Sequence, residues 1–192
     1  GDVRLEQQSE KMMALGRLSA GLAHELNNPA AAVRRAAALL SEHRAKLPAL
    51  VMALVRHQVG EQGLEKLEQL RSLGRQGDES TATTIERGER EDDLLEWLED
   101  HDVNEPWEVA ATFNDANLSL EDLEDVSRSV PEAALAEALA WLSGGISSDR
   151  IVEEIKAASG RISELVASIK TYSHMDRSTE HKPTDVRLGI DN

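Results

Sequence analysis

The run Met12-Met13-Ala14-Leu15-Gly16-Arg17-Leu18-Ser19-Ala20-Gly21-Leu22-Ala23-His24-Glu25-Leu26-Asn27-Asn28-Pro29 decides the fold. Within it and beyond it, Met12, Leu15, Ser19, Leu22, Leu26, Pro29, Val33, Ala36 and Leu40 alternate by three and four. That spacing is the a/d pattern of a heptad, and it predicts a helix whose single apolar stripe faces a partner helix. In this register His24 takes an f position, away from the seam, so its ring is expected in solvent. The turns around it carry Ala20, Gly21, Ala23, Asn27, Asn28 and Ala31 in place of the Glu, Lys and Arg usual on a helix surface. Gly16 and Gly21 each cost about 1 kcal/mol of helix propensity against Ala. Small residues beside a reactive ring leave it open to a large reactant; close helix packing is the other explanation for them.

Each residue of His24-Glu25-Leu26-Asn27-Asn28-Pro29 has a chemical use. A neutral imidazole is nucleophilic through one ring nitrogen, and near pH 7 histidine is largely in that form. For Nε2 to attack phosphorus, Nδ1 must carry the proton, and a carboxylate accepting from Nδ1–H holds that tautomer. Glu25 is adjacent, although neighbours on a helix do not face each other, so contact requires side-chain reach. Asn28, four residues on, shares the face of His24 and can orient a phosphoryl oxygen or a water. Pro29 lacks an N–H, so the bond to the carbonyl of Glu25 is lost and a bend is expected there.

A second seam runs through Ile151, Ile155, Ala158, Ile162, Leu165, Ile169 and Tyr172. Ser147 and Ser148 are expected as N-caps, with Asp149, Glu153 and Glu154 in the first turns. One hairpin of two such helices buries little; two hairpins make a four-helix bundle. The His24 run resembles the H-box of sensor histidine kinases of two-component systems. The stretch from Arg161-Ile162-Ser163-Glu164-Leu165-Val166 to Ile169-Lys170-Thr171-Tyr172-Ser173 resembles the second helix of their dimerisation and phosphotransfer domain. The tail from Lys182 to Asn192 looks like the linker toward the ATP-binding lobe. The resemblance covers well under half of the chain. It implies His24 as phosphoacceptor, Glu25 in proton handling, and Asn28 in positioning phosphoryl or water. It also implies ATP and Mg2+ on the family's ATP-binding lobe, of which no motif is present here. A homodimer, that lobe and a response-regulator receiver domain are the implied partners, with Arg34 and Arg35 as docking residues or plain surface arginines.

Composition bounds the rest. With no cysteine there is no disulfide framework and no thiolate metal site. No cofactor or metal is expected in this segment. No apolar run approaches the length of a membrane span and no signal peptide is visible, so the chain reads as cytoplasmic, without membrane contact. A net charge of −15 disfavours nucleic acid and anionic lipid.

Between the two seams lie roughly 100 residues, far beyond an ordinary helix connection. Leu47, Leu50, Val51, Leu54 and Val55 read as helix, as do Leu64, Leu67, Leu70 and Leu73. Leu94, Leu95, Trp97 and Leu98 form a short apolar face. Pro106 opens a further helix after Asn104-Glu105. Ser119 with Asp122 forms a capped start. A helix from Ala134 to Leu142 is expected to stop at Gly144-Gly145. Arg75 to Arg90 reads as a mobile loop, and Glu91-Asp92-Asp93 as a helix start or a weak cation site. The expectation is thus all-α: residues 1–44 and 147–177 as an antiparallel hairpin of a dimeric four-helix bundle, 45–146 as an inserted helical subdomain, and 178–192 as linker. A standalone phosphotransfer module and a non-catalytic coiled-coil scaffold are the alternatives.

Overall fold

The structure, a computed structural model, describes residues 2–76 and 83–177, with side chains for 21–75 and 83–170. It is all-helical. The described residues form α1 (Asp2–Arg56), α2 (Glu61–Gln76), α3 (Thr84–Asp100), α4 (Pro106–Asp115), α5 (Leu120–Ser129) and α6 (Leu135–Arg177), with one 3₁₀ turn at Glu132–Ala134. The chain divides into two compact units: residues 1–33 with 156–192, and residues 34–155. Both long helices contribute to both units.

Four sequence expectations are corrected. The first helix does not end near residue 44; it runs on to Arg56, passing Pro29 and Pro48. Gly144-Gly145 does not stop a helix but lies inside α6. Ser147 and Ser148 are therefore interior residues rather than caps, and the Ser148 hydroxyl donates to the carbonyl of Gly144 at 2.6 Å, the usual outlet for a mid-helix serine. Residues 84–90 are helical, so only part of the expected loop remains, and 77–82 lie outside the described residues.

The unit of residues 34–155 is built around Phe113, Leu67, Leu70, Leu94, Leu98, Leu123, Leu139, Leu142 and Ile146, all fully buried. Its short helices start where local chemistry dictates. Thr83 and Glu86 form a reciprocal capping box at α3, and Ser119 and Asp122 form another at α5. Pro106 opens α4 at a position where its missing N–H costs nothing. Three helix ends close alike. Gln58, Asp102 and Asn117 take left-handed φ of 56°, 54° and 60°. The next residue then donates back across the turn: Val59 to Leu54 at 3.0 Å, Val103 to Leu98 at 3.1 Å, and Leu118 to Phe113 at 3.0 Å. This is the Schellman closure, and each time it joins two apolar residues around the reversal. Packing then pairs α3 with α4 and α5, and α2 with α5.

Gly145 in α6 has a packing reason, whereas a Cβ on Gly144 would meet nothing within 4 Å. A Cβ on Gly145 would stand 3.0 Å from Cδ and Nε of Arg71. Gly145 lies one turn after Trp141 and one turn before Asp149, so the three share a face. The Arg71 side chain reaches across this bare turn. Its guanidinium sits 5.9 Å from the Trp141 ring centre and donates to both Asp149 oxygens, at 3.0 and 3.1 Å. The hydrogen bonds that Arg71 donates to Asp149 raise the Arg71 pKa, although partial burial works against them. A side chain at 145 would press on the Arg71 stem, which gives a reason for a glycine that costs helix stability.

In the other unit, burial follows the two seams. On α1, Leu22, Leu26, Pro29 and Val33 are half-buried; on α6, Ile162, Leu165 and Ile169 are half-buried and Ala158 is buried. Met12, Leu15, Ser19 and Tyr172 lie outside the described side chains.

Candidate functional site

His24 lies on the part of α1 that belongs to the first unit, and its side chain is exposed. Asn28, one turn on, is exposed too, as are Gly21, Ala23, Glu25 and Asn27. The alternation with half-buried Leu22, Leu26 and Pro29 is the one the heptad register requires. The ring therefore stands on a solvent face with an amide one turn away. Adjacent residues on a helix project about 100° apart, and among the described residues no hydrogen bond joins the Glu25 carboxylate to the His24 ring.

Access to the ring has a structural counterpart. A Cβ built on Gly21 meets nothing within 4 Å. Close packing among the described residues does not call for glycine there; Gly60, Gly88, Gly144 and Gly160 are equally open, whereas Gly63, Gly74 and Gly145 have neighbours that a Cβ would press. The space beside Gly21 is compatible with open approach to the His24 ring. Gly16 lies outside the described side chains.

Pro29 sits inside α1, and the helix continues beyond it. Arg34 and Arg35 are exposed on the portion of α1 assigned to the second unit. Glu91, Asp92 and Asp93 lie beyond the first turn of α3, which holds Glu86 instead, so a helix start does not explain them. Glu91 accepts a hydrogen bond from the buried amide of Asn114 at 2.9 Å. Among the described residues no cluster of three or more His, Asp or Glu could hold a metal ion, and no helix is long and apolar enough to cross a membrane.

Sequence reading missed the capping box of Thr83 and Glu86, which lends α3 its start. The signal was present as Thr83-Thr84-Ile85-Glu86, a threonine followed three residues later by glutamate. The backbone N–H and the hydroxyl of Thr83 hold the Glu86 carboxyl below its ordinary pKa. The ties of Arg71 to Asp149 and of Lys66 to Asp125 were also missed. Their partners lie 78 and 59 residues apart, a separation that no local pattern encodes.

Charge divides unevenly along the chain. Residues 34–155 contain 27 acidic and 12 basic side chains, while 1–33 and 156–192 together contain nine of each. The whole net charge of −15 thus falls in the second unit, and the segment with His24 belongs to a neutral one. No protein-family model matches this chain, and neither a curated protein nor a solved structure matches it.

Proposed function

We propose that this chain is the dimerisation and phosphoacceptor region of a sensor histidine kinase, with His24 as the phosphoacceptor. The observation that carries the reading is an exposed His24 on a single-seam helix, with Asn28 one exposed turn away and open space at Gly21. The H-box resemblance supplies the reaction class. The ATP-binding lobe of the family holds ATP and Mg2+; the part played by this chain is the imidazole and its surroundings.

In the autophosphorylation step, Nε2 of neutral His24 attacks the γ-phosphorus. The bond from that phosphorus to the β,γ-bridging oxygen breaks, and ADP leaves with the electron pair. The proton on Nδ1 stays on the ring and is stabilised when Glu25 turns toward it. The N–P bond then breaks as an aspartate carboxylate of a response-regulator receiver domain takes the phosphoryl group, which returns neutral His24. Asn28 aligns a water for hydrolysis of the phosphorylated regulator, a geometric task for which a carboxamide on the same face suffices. The chain acts as a homodimer, with the two seams of the first unit joined to those of a second copy in a four-helix bundle.

The test is phosphorylation by the ATP-binding lobe of a sensor histidine kinase, added with labelled ATP. Label is expected on the wild-type chain, acid-labile and alkali-stable, and absent from His24→Gln. With phosphorylated regulator as substrate, Asn28→Ala is expected to slow dephosphorylation at least tenfold more than phosphotransfer. No label under any condition leaves a coiled-coil scaffold. Equal loss of both activities makes Asn28 structural.

A further inference from the structure

Residues 143–148 of α6 read Ser-Gly-Gly-Ile-Ser-Ser, with glycine or serine at five of six positions. Glycine loses the most backbone freedom in a helix, and serine competes for the backbone hydrogen bonds that hold one. The Ser148 hydroxyl does so here, donating to the carbonyl of Gly144 at 2.6 Å. Residues 135–142 before this stretch and 149–158 after it contain neither glycine nor serine. Packing gives a reason for glycine at 145 but none at 144, where a Cβ would meet nothing within 4 Å. Local propensity therefore favours a break at 143–148, yet α6 runs through it as one helix.

Two residues of α2 hold this stretch. Arg71 and Gly74 lie three positions apart on that helix and share a face. Arg71 spans the weak stretch from end to end. Its guanidinium stands 5.9 Å from the Trp141 ring centre on one side and donates to Asp149 at 3.0 and 3.1 Å on the other. Gly74 brings the α2 backbone close to the middle. A Cβ at that position would stand 3.2 Å from Cγ1 and Cδ1 of Ile146, which is fully buried. We infer that residues 143–148 are a break point built into α6, and that α2, through Arg71 and Gly74, is the clasp that keeps it closed. Leu139 and Leu142 of the buried core precede this point, and the second seam, from Ile151, follows it. The clasp thus decides whether core and seam belong to one helix. It lies within residues 34–155 and involves neither His24 nor a second chain.

Amide hydrogen exchange of the full chain, followed residue by residue over a range of low urea concentrations, tests this. Opening that is local exposes little surface and so depends little on urea, whereas opening of the whole unit carries the full dependence. In the wild type, amides at 145–149 are expected to exchange with those of α4, at the same rate to within about threefold and with the same urea dependence. In Arg71→Met they are expected to exchange at least tenfold faster than α4 and to lose most of that dependence. Asp149→Asn, which releases the same contact from the α6 side, is expected to do likewise. Adding Gly144→Ala to Arg71→Met places a Cβ in open space. It should slow exchange at 145–149 by about fivefold, the factor that one such change in a helix interior is worth. Amides at 145–149 that keep pace with α4 in both Arg71→Met and Asp149→Asn overturn the clasp. Amides there that already exchange tenfold faster than α4 in the wild type overturn it too, since the break would then be open. Acceleration that Gly144→Ala does not reduce overturns the break point, because helix propensity would not be what Arg71 offsets.

Discussion

Residues 34–155 and the segments that flank them use the same helix type to opposite ends. The inner unit closes on itself: Phe113, nine further large side chains and several alanines are hidden from solvent, and its helix ends are capped or closed by backbone bonds. In the outer unit only Ala158 is buried among the described side chains, and the seam residues Leu22, Leu26, Ile162 and Leu165 are half-covered. The first arrangement is stable as a single copy. The second leaves the seam residues half in water, which is the face that the proposed dimer would cover. The difference lies in the residue pattern: three and four spacing over many turns builds a stripe, whereas short helices separated by left-handed residues build a closed core.

The largest effect is expected where a charge enters the seam. Leu26→Asp combined with Ile162→Asp should convert the dimer to a monomer, read by light scattering, because an unpaired charge in a packed interface is strongly unfavourable. The urea transition of residues 34–155, followed by the tryptophans at 97, 107 and 141, should persist. Loss of that transition breaks the comparison, since the inner unit would then depend on the dimer. Phe113→Ala is the converse probe. It should lower the stability of the inner unit by about 3–5 kcal/mol, the usual cost of emptying a buried aromatic site, and the shift should not depend on protein concentration.

A smaller effect follows from the Arg71 passage. Arg71→Met keeps the stem and removes the two bonds to Asp149, and it should cost about 1–2 kcal/mol by urea titration. Asp149→Asn should give a similar loss, and the double variant little more than either, because both remove one interaction. Additive losses would mean that Arg71 and Asp149 act separately.

The smallest effect concerns pH. The Lys66 ammonium, at 2.7 Å, and then the Arg128 guanidinium hold the Asp125 carboxyl below its ordinary pKa. A carboxyl lowered on folding adds stability that is fully present above its unfolded pKa and is lost as pH falls through the folded one. The inner unit should therefore weaken below the ordinary carboxylate range, and Asp125→Asn should flatten that part of the profile. An unchanged profile makes the tie irrelevant to stability.

Much of this was legible from residue order alone. The all-helical class, the two seams, the solvent position of His24, the capped start at Ser119 and the proline start at Pro106 follow from spacing and local hydrogen bonding, which reach only a few residues. The continuation of α1 to Arg56 and of α6 through Gly144-Gly145 was not legible. A glycine pair reads as a helix stop unless one knows that Arg71 crosses it, and Arg71 is far away in the chain. The boundary between the units likewise falls inside continuous helix at 33/34 and 155/156, where no turn residue marks it.

Nesting one unit inside the other also orders the birth of the molecule. A ribosome makes residues 34–155 before residues 156–177, the half that the segment before residue 34 requires. Contacts within the inner unit span shorter stretches of chain than those joining α1 to the end of α6, and shorter loops close sooner. The inner unit should form first, and its folding removes more than a hundred residues of slack from between the two halves of the outer one. Refolding by dilution should accordingly show a fast phase independent of concentration, then a slower bimolecular phase in which the face bearing His24 takes its final form.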